Sequence, residues 1–309
     1  MDLFESSYLK RYREGNLQDK VRRAIEGLRD CRFCPRRCGA NRLEGEVGVC
    51  RTGRDAMVAS FQSHFGEESP LVGTGGSGTI FFSSCNLLCT FCQNYEISHL
   101  MEGERVNREG LAAMMVALQR RGCHNINLVS PTHVVPQVME ALVPAIEMGL
   151  TVPLVYNTGG YDSPETLQLL SGIVDIYMPD FKFWDSRWAE RFCHAPDYRE
   201  RVCESILEMH RQVGDLIIGR DRIARHGLLV RHLVMPGGIA GTREIMNFLA
   251  EKISRGTYVN IMAQYHPAGK AAGDPIIGRR ITREEYDRAL QEAVRAGLRR
   301  LDWVRFPGN

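Results

Sequence analysis

Short apolar, β-branched runs alternate with segments of helical spacing along most of this chain. From about Gly78 onward the runs are TIFFSS (79–84), NINLVS (125–130), VPLVYNT (152–158), IVDIYMPD (173–180), LLVRHLVM (228–235) and VNIMAQY (259–265). They are near-continuously apolar, as strands buried on both faces are. Between them lie helical stripes. Leu111, Met114, Met115 and Leu118 fall at i, i+3, i+4 and i+7, and Val135, Val138, Leu142 and Ile146 form a second stripe. In SPETLQLL, Ser163 is placed to cap and Pro164 to open a helix. Thr282 and Glu285 have capping-box spacing. Strand and helix alternate six times, with a short last strand expected near residues 302–304. This alternation predicts an α/β fold with a parallel sheet and right-handed crossovers. By itself it fits either a doubly wound sheet or a sheet curled into a barrel.

Residues 1–77 do not keep this rhythm. A helix is expected over about Leu17–Leu28, followed by the loop-like, Gly- and Arg-rich stretch CRFCPRRCGANRLEGEVGVC. The expected organisation is an N-terminal helix and Cys-rich extension, 1–77, packed on a core domain, 78–309. A chain of 309 residues suits one large domain with a small addition. Its 44% hydrophobic and 25% charged residues are ordinary for a globular protein, and a formal charge of +2 gives no electrostatic case for nucleic acid or an anionic membrane. No apolar run is long enough to span a bilayer. The opening MDLFESSYLKRYREG lacks the features of a signal or transit peptide, so the cytoplasm is the expected compartment.

The ten cysteines change the picture. Seven crowd into the first third of the chain: Cys31, Cys34, Cys38, Cys50, Cys85, Cys89 and Cys92. In a reducing compartment such clusters hold metals or do redox chemistry more often than they form disulfides. Cys123, Cys193 and Cys203 are scattered and read as small buried apolar residues. GTGGSG (73–78) matches a dinucleotide fingerprint by letters only. Its glycines precede a strand, whereas a phosphate loop follows a strand and opens a helix.

SSCNLLCTFCQN (83–94) starts at the end of the first predicted strand, where parallel α/β folds place their chemistry. It holds Cys85, Cys89 and Cys92 as C-x3-C-x2-C. A structural zinc site wants a fourth ligand, and His99 is the nearest downstream candidate. A simple electron-transfer cluster normally takes four cysteines. With three, a cubane keeps one iron open to a ligand that is not protein.

C-x3-C-x2-C with Phe91 before the last cysteine resembles the signature of the radical S-adenosylmethionine (SAM) superfamily. The resemblance implies a [4Fe-4S] cluster on Cys85, Cys89 and Cys92 whose open iron binds SAM. It implies reductive cleavage of SAM to a 5′-deoxyadenosyl radical that takes hydrogen from a substrate, and an electron donor of flavodoxin or ferredoxin type. Cys92-Gln93-Asn94 is similar to the C-H-N of pyruvate formate-lyase activating enzymes. MPDFK (178–182) looks like their D-x-K, which maps Asp180 and Lys182 near cofactor or substrate, and YNTGGY (156–161) resembles their third strand end, with Asn157. CxxCPRxC, CNLxCxFCQNYEIS, PTH and NIMAQY together resemble the PflX-like branch over roughly residues 31–270. A glycyl-radical enzyme is the partner this implies. The chain departs from the family after the second strand, where NLVSPTH replaces Gly-Gly-Glu. Ser130 and Thr132, with Phe91 and Asn94, are then the expected cofactor contacts. The expected fold is a partial (β/α)6 TIM-type barrel, open on one side. Modification of a peptide or small molecule is the alternative substrate reading. A non-catalytic iron–sulfur or zinc protein is the alternative from another class.

Cys31, Cys34, Cys38 and Cys50 form C-x2-C-x3-C-x11-C, a set of four that suits zinc or an auxiliary cluster. Arg32, Arg36 and Arg37 are expected to offset the thiolate charge. Arg231 lies inside the fifth strand, where a charge must be paired, so it points to a polar barrel interior. His266 and Lys270, after the sixth strand, are weaker substrate candidates. His133, just past the second strand, is a further one. His64, His194, His210 and His226 lack supporting context.

Overall fold

The structure, a computed structural model, describes residues 4–303. Ten strands run in chain order: β1 (Ala56–His64), β2 (Ser77–Phe82), β3 (Glu104–Val106), β4 (Ile126–Val129), β5 (Leu154–Thr158), β6 (Ile176–Pro179), β7 (Ile217–Ile218), β8 (Ala224–Leu233), β9 (Tyr258–Met262) and β10 (Arg300–Trp303). β2, β4, β5, β6, β8, β9 and β10 lie side by side in that order, each parallel to the next. A doubly wound sheet would reverse its order at a switch point, whereas this order never reverses and is that of a barrel. The sheet does not close: its order ends at β10 on one side and at β3 on the other. Six of these strands, β2, β4, β5, β6, β8 and β9, make the expected partial barrel, and β10 adds a seventh. The short last strand falls at Arg300–Trp303, and Val304 lies outside the described residues.

β1, which lies before the expected boundary at residue 77, belongs to the main sheet, paired antiparallel with β2. The strand escaped notice because one face is open, and AMVASFQSH carries no continuous apolar run. The two helices before it, Ser7–Arg13 and Asn16–Glu26, dock at the N-terminal end of the barrel. Tyr8 donates its hydroxyl to the Val152 carbonyl at 2.8 Å, and the Ser7 N–H donates to Asp175 at 2.8 Å. Ser163 does not cap its helix; its hydroxyl donates to the Phe33 carbonyl and so ties Pro164–Leu170 to the Cys-rich stretch.

The capping box is present. Thr282 accepts from the Glu285 N–H, and Glu285 accepts from the Thr282 N–H at 2.8 Å. Thr282→Ala is expected to cost about 1 kcal/mol, the usual loss of an N-cap oxygen. A lower urea midpoint at unchanged m-value is the measurement that checks it.

Successive strand residues face opposite sides, so alternate positions fill the barrel interior. The lower layer is apolar: Val155, Ile176, Met178 and Leu229 pack with Leu71 from the segment between β1 and β2. The layer above is polar. Asp180, Arg231, Asn260 and Asp302 stand in register across β6, β8, β9 and β10, with Asn157 nearby on β5.

Candidate functional site

A cavity of about 1250 Å³ descends from the cysteine loop into this polar layer. Cys85, Cys89 and Cys92 line it, with Phe91, Asn94, Ser130, Asn157, Asp180, Lys182, Arg231 and Asn260. The loop that carries the thiols is held in uncommon backbone geometry. Ser84 and Leu88 have φ of 71° and 55°, and Ser130 at the end of β4 has φ of 57°. Left-handed conformations at residues other than glycine cluster where the surroundings over-determine them, and functional sites are such places.

The surroundings are visible. Arg36, from the CPRRC stretch, spreads its guanidinium over four carbonyls: Asn86 at 3.0 Å, Leu87 at 3.4 Å, Cys193 at 3.0 Å, and His194. The Cys-rich stretch therefore braces the cysteine loop. This corrects the expected role of its arginines. Arg36 holds backbone, Arg32 pairs with Asp30 and Arg37 with Glu165, so none of the three neutralises a thiol. Arg42 instead donates to the Cys31 sulfur at 3.7 Å.

Burial pushes the Cys85 thiol up to about 12, with Cys89 adding to it. The Cys92 thiol is raised for the same reasons, burial first. Cys89 is raised well above the ordinary thiol range, first by its sulfur–sulfur contact with Cys193 and then by burial. Buried thiols ionise when a cation compensates the charge, and backbone N–H groups stand ready to assist: the Leu87 N–H donates to the Cys85 sulfur at 3.3 Å. The donor set thus fits a cationic iron–sulfur centre. Among the described residues, no three His, Cys, Asp or Glu side chains converge as a single metal ion requires. A cubane puts one thiolate on each of three irons, a wider arrangement.

The charged floor is tightly paired. Asp180 accepts from Lys182 Nζ at 2.6 Å and from Arg231 Nε at 2.8 Å, and Arg231 Nη2 donates to Asn157 Oδ1 at 2.7 Å. Burial alone would raise the Asp180 carboxyl, but Arg231 and Lys182 together hold it below its usual value. Burial opposes the Lys182 charge as well, yet the Asp180 carboxylate keeps the amine above its ordinary range. The buried charge read from Arg231 within a strand does mark a polar interior. Gly160 lets the two strand ends meet: a Cβ there would stand 2.5 Å from the Asp180 carbonyl, and its φ is 78°.

Several predicted residues lie elsewhere. Thr132 does not line the cavity. Its hydroxyl donates to Asp162 at 2.7 Å, in a buried network with Thr158 and Tyr156 that locks the ends of β4 and β5. His266 and Lys270 also lie outside the lining. The loop that carries them covers the cysteine loop, with the Lys270 N–H donating to the Thr90 carbonyl at 2.8 Å. His133 is structural: Nε2 bonds the Ser83 carbonyl at 2.9 Å, and burial depresses the ring to about 4. His99 stacks on Tyr95 and bonds Ser98 from behind the cavity lining, which it does not join. Cys31, Cys34, Cys38 and Cys50 lie close enough for the other three to act electrostatically on Cys34. The Val49 N–H donates to the Cys38 sulfur at 3.4 Å, and Gly48 packs so close that a Cβ would stand 2.6 Å from it.

The sequence reading missed three features. Cys193 is fully buried, and its sulfur lies 3.4 Å from that of Cys89. It does not line the cavity, so three thiols, not four, face the interior. His64 lines the cavity despite its lack of sequence context. Glu67 and Glu68 reach Arg231 from the segment after β1, at 3.8 and 3.9 Å. Adjacent glutamates after a His-Phe-Gly turn were the available signal. With them the lining holds Glu67, Glu68, Asp180, Asp221 and Asp302 against Lys182, Arg222 and Arg231.

Burial pushes Glu68 up to about 7, opposed by Arg231 and reinforced by Glu67. The folded state then binds more protons than the unfolded state between about pH 4.5 and 7, and Glu68 lowers stability as pH rises through that window. Glu68→Gln removes this dependence. The variant should gain on the wild type by a few kcal/mol, an order of magnitude from ~1.4 kcal/mol per pKa unit, as pH rises from 4.5 to 7. Parallel urea melts across that range check it; a constant difference would contradict it.

No protein-family profile matches the chain. It is 32% identical over 306 residues to an uncharacterized protein of Methanocaldococcus jannaschii, MJ0674, with 96% of this chain and 84% of that one aligned. A crystal structure of methylornithine synthase (PylB) is similar over 73% of this chain and 70% of that one, at 13% identity and a TM-score of 0.41. A likeness that distant carries no argument about chemistry. Among the described residues, no helix is long and apolar enough to cross a membrane.

Proposed function

We propose that this chain, which belongs to one family with the archaeal protein MJ0674, is a radical SAM enzyme. The observation that carries the reading is the cavity. Cys85, Cys89 and Cys92 follow the first barrel strand and open onto the same space as Asn157, Asp180, Lys182 and Arg231. These three cysteines would hold a [4Fe-4S] cluster, and Phe91, Asn94, Ser130, Asn157, Asp180 and Lys182 surround the space left for SAM. When bound, the cluster supplies the electron that cleaves SAM to methionine and a 5′-deoxyadenosyl radical, which takes hydrogen from a substrate. The protein positions and shields. Arg36 fixes the cysteine loop, the Asp180–Lys182–Arg231 network holds fixed charges beside the open space, and Phe91 seals the loop against Phe183, Phe192 and Tyr265.

Anaerobic reconstitution with iron and sulfide, then dithionite and SAM, tests this. Release of 5′-deoxyadenosine is the expected result. A protein that binds iron but never cleaves SAM would overturn it and leave a non-catalytic iron–sulfur protein. An electron donor of flavodoxin or ferredoxin type belongs to the same proposal. So does a structural iron–sulfur cluster, the wider of the two centres expected there, on Cys31, Cys34, Cys38 and Cys50. Its removal should loosen the brace that Arg36 provides.

The resemblance to glycyl-radical activating enzymes directs the radical to a glycine Cα–H of a partner enzyme. A glycyl-radical doublet in the electron paramagnetic resonance spectrum of that partner would be the sign. A second reading, a small substrate held inside the barrel, is favoured by the acidic lining around Glu67 and Glu68.

A further inference from the structure

The barrel interior contains an acid pair that SAM cleavage does not call for. Glu67 and Glu68 approach Nη1 of Arg231 at 3.8 and 3.9 Å, and Glu68 Oε1 accepts from Asn260 Nδ2 at 3.0 Å. Glu68 Oε2 and Asn260 Oδ1 have no hydrogen-bond partner. Both residues are more than nine-tenths buried, and both line the cavity. Buried polar atoms are nearly always satisfied, and leaving one unmade is costly. Asn260 Oδ1 can only accept, and Glu68 Oε2 accepts once its carboxyl is ionised, the state a neighbouring cation favours, so a complementary group must donate at two points. The carboxyl excess of the lining says that this group is positively charged. An anion would find the Arg231 donors engaged by Asp180 and Asn157 and would face the acid pair.

We propose that Glu67, Glu68 and Asn260 bind the primary ammonium group of a small-molecule substrate. An ammonium carries three donors and one positive charge, which matches the two orphan acceptors and the adjoining Glu67 carboxylate. A hydroxyl has a single donor and no charge. The proposal rests on the radical reading of the same cavity and names the substrate class it would act on.

The test is calorimetric titration of the reconstituted full-length protein, without reductant, using n-butylamine as probe and 1-butanol and butyrate as controls. Butylamine should bind at least tenfold more tightly than either control. Glu68→Gln and Glu67→Gln should each lose at least tenfold. If Glu68→Gln unfolds, Glu67→Gln alone decides. Equal binding of butanol, or unchanged binding in a folded variant, overturns the proposal. SAM should not displace the amine. If the two compete, the acid pair serves the cofactor's own amino group and the proposal falls. The radical reading is scored separately: amine binding without 5′-deoxyadenosine release sinks that reading alone, and release without amine preference sinks this one alone.

Discussion

Replacing Cys89 with alanine is expected to abolish 5′-deoxyadenosine release, while replacing Cys193, whose sulfur lies 3.4 Å from it, is expected to preserve it. The contrast follows from which thiol faces the cavity. Cys89 lines it with Cys85 and Cys92, and Cys193 does not. Loss of Cys89 leaves two thiolates where a cubane with one open iron needs three. Loss of Cys193 removes one small buried group and one weak S–H donor from behind a ligand. Iron content after anaerobic reconstitution, measured beside 5′-deoxyadenosine, checks both outcomes. Cys89→Ala should fall to background in both. Cys193→Ala should keep its iron, with at most a modest change in rate from the lost contact with the Cys89 sulfur. The reverse pattern would make Cys193 the ligand and Cys89 the bystander.

The same pair shows what was legible in the sequence. A motif within eight residues can be read from spacing alone, because local chain geometry keeps the thiols together. The six strand–helix units were legible for a similar reason: continuous apolar runs are what buried parallel strands require. Arg231 was legible because an isolated charge in such a run must find partners. Cys193 is 104 positions from Cys89. Only tertiary packing, the helix Ser186–Cys193 ending beside the cysteine loop, brings the two together. Glu68 meets Asn260 across 192 positions. β1 was missed because its open face breaks the apolar pattern. Thr132 and His133 illustrate the opposite error. Position just past a strand does not decide which way a side chain points, and a short turn at Thr132–Val134 aims both into the packing between strands and helices.

Arg231→Met should be the most destabilising single change in the cavity, by about 3–5 kcal/mol, the usual consequence of removing one partner from a buried ion pair. The side chain fills the space of an unbranched apolar residue, so the loss is electrostatic and not a void. Arg231 donates to Asp180 at 2.8 Å and to Asn157 at 2.7 Å, and it stands within 4 Å of Glu67 and Glu68. Without it, Lys182 is the cation left against Asp180, and Glu67 and Glu68 lose the cation that stands within 4 Å of both. The folded-state pKa of Glu68, already raised by burial, should rise further. The native variant then binds more protons than its unfolded chain, so its stability falls as pH rises. The deficit relative to wild type should be largest near pH 7.5 and should shrink toward pH 4.5, where the carboxyls protonate. Arg231→Lys should recover only part of the loss, because an ammonium cannot reach Asp180 and Asn157 from the two ends of a planar fork. A double-mutant cycle with Asp180→Asn isolates the pair. A coupling of 0.5–3 kcal/mol is the typical range for groups in direct contact, and a value near the top is expected for two charges this deeply enclosed. Urea melts of the five proteins at pH 7.5 and 4.5 measure all of this. A deficit that does not change with pH would mean that Arg231 acts through packing, and that the polar layer is neutral in the folded protein.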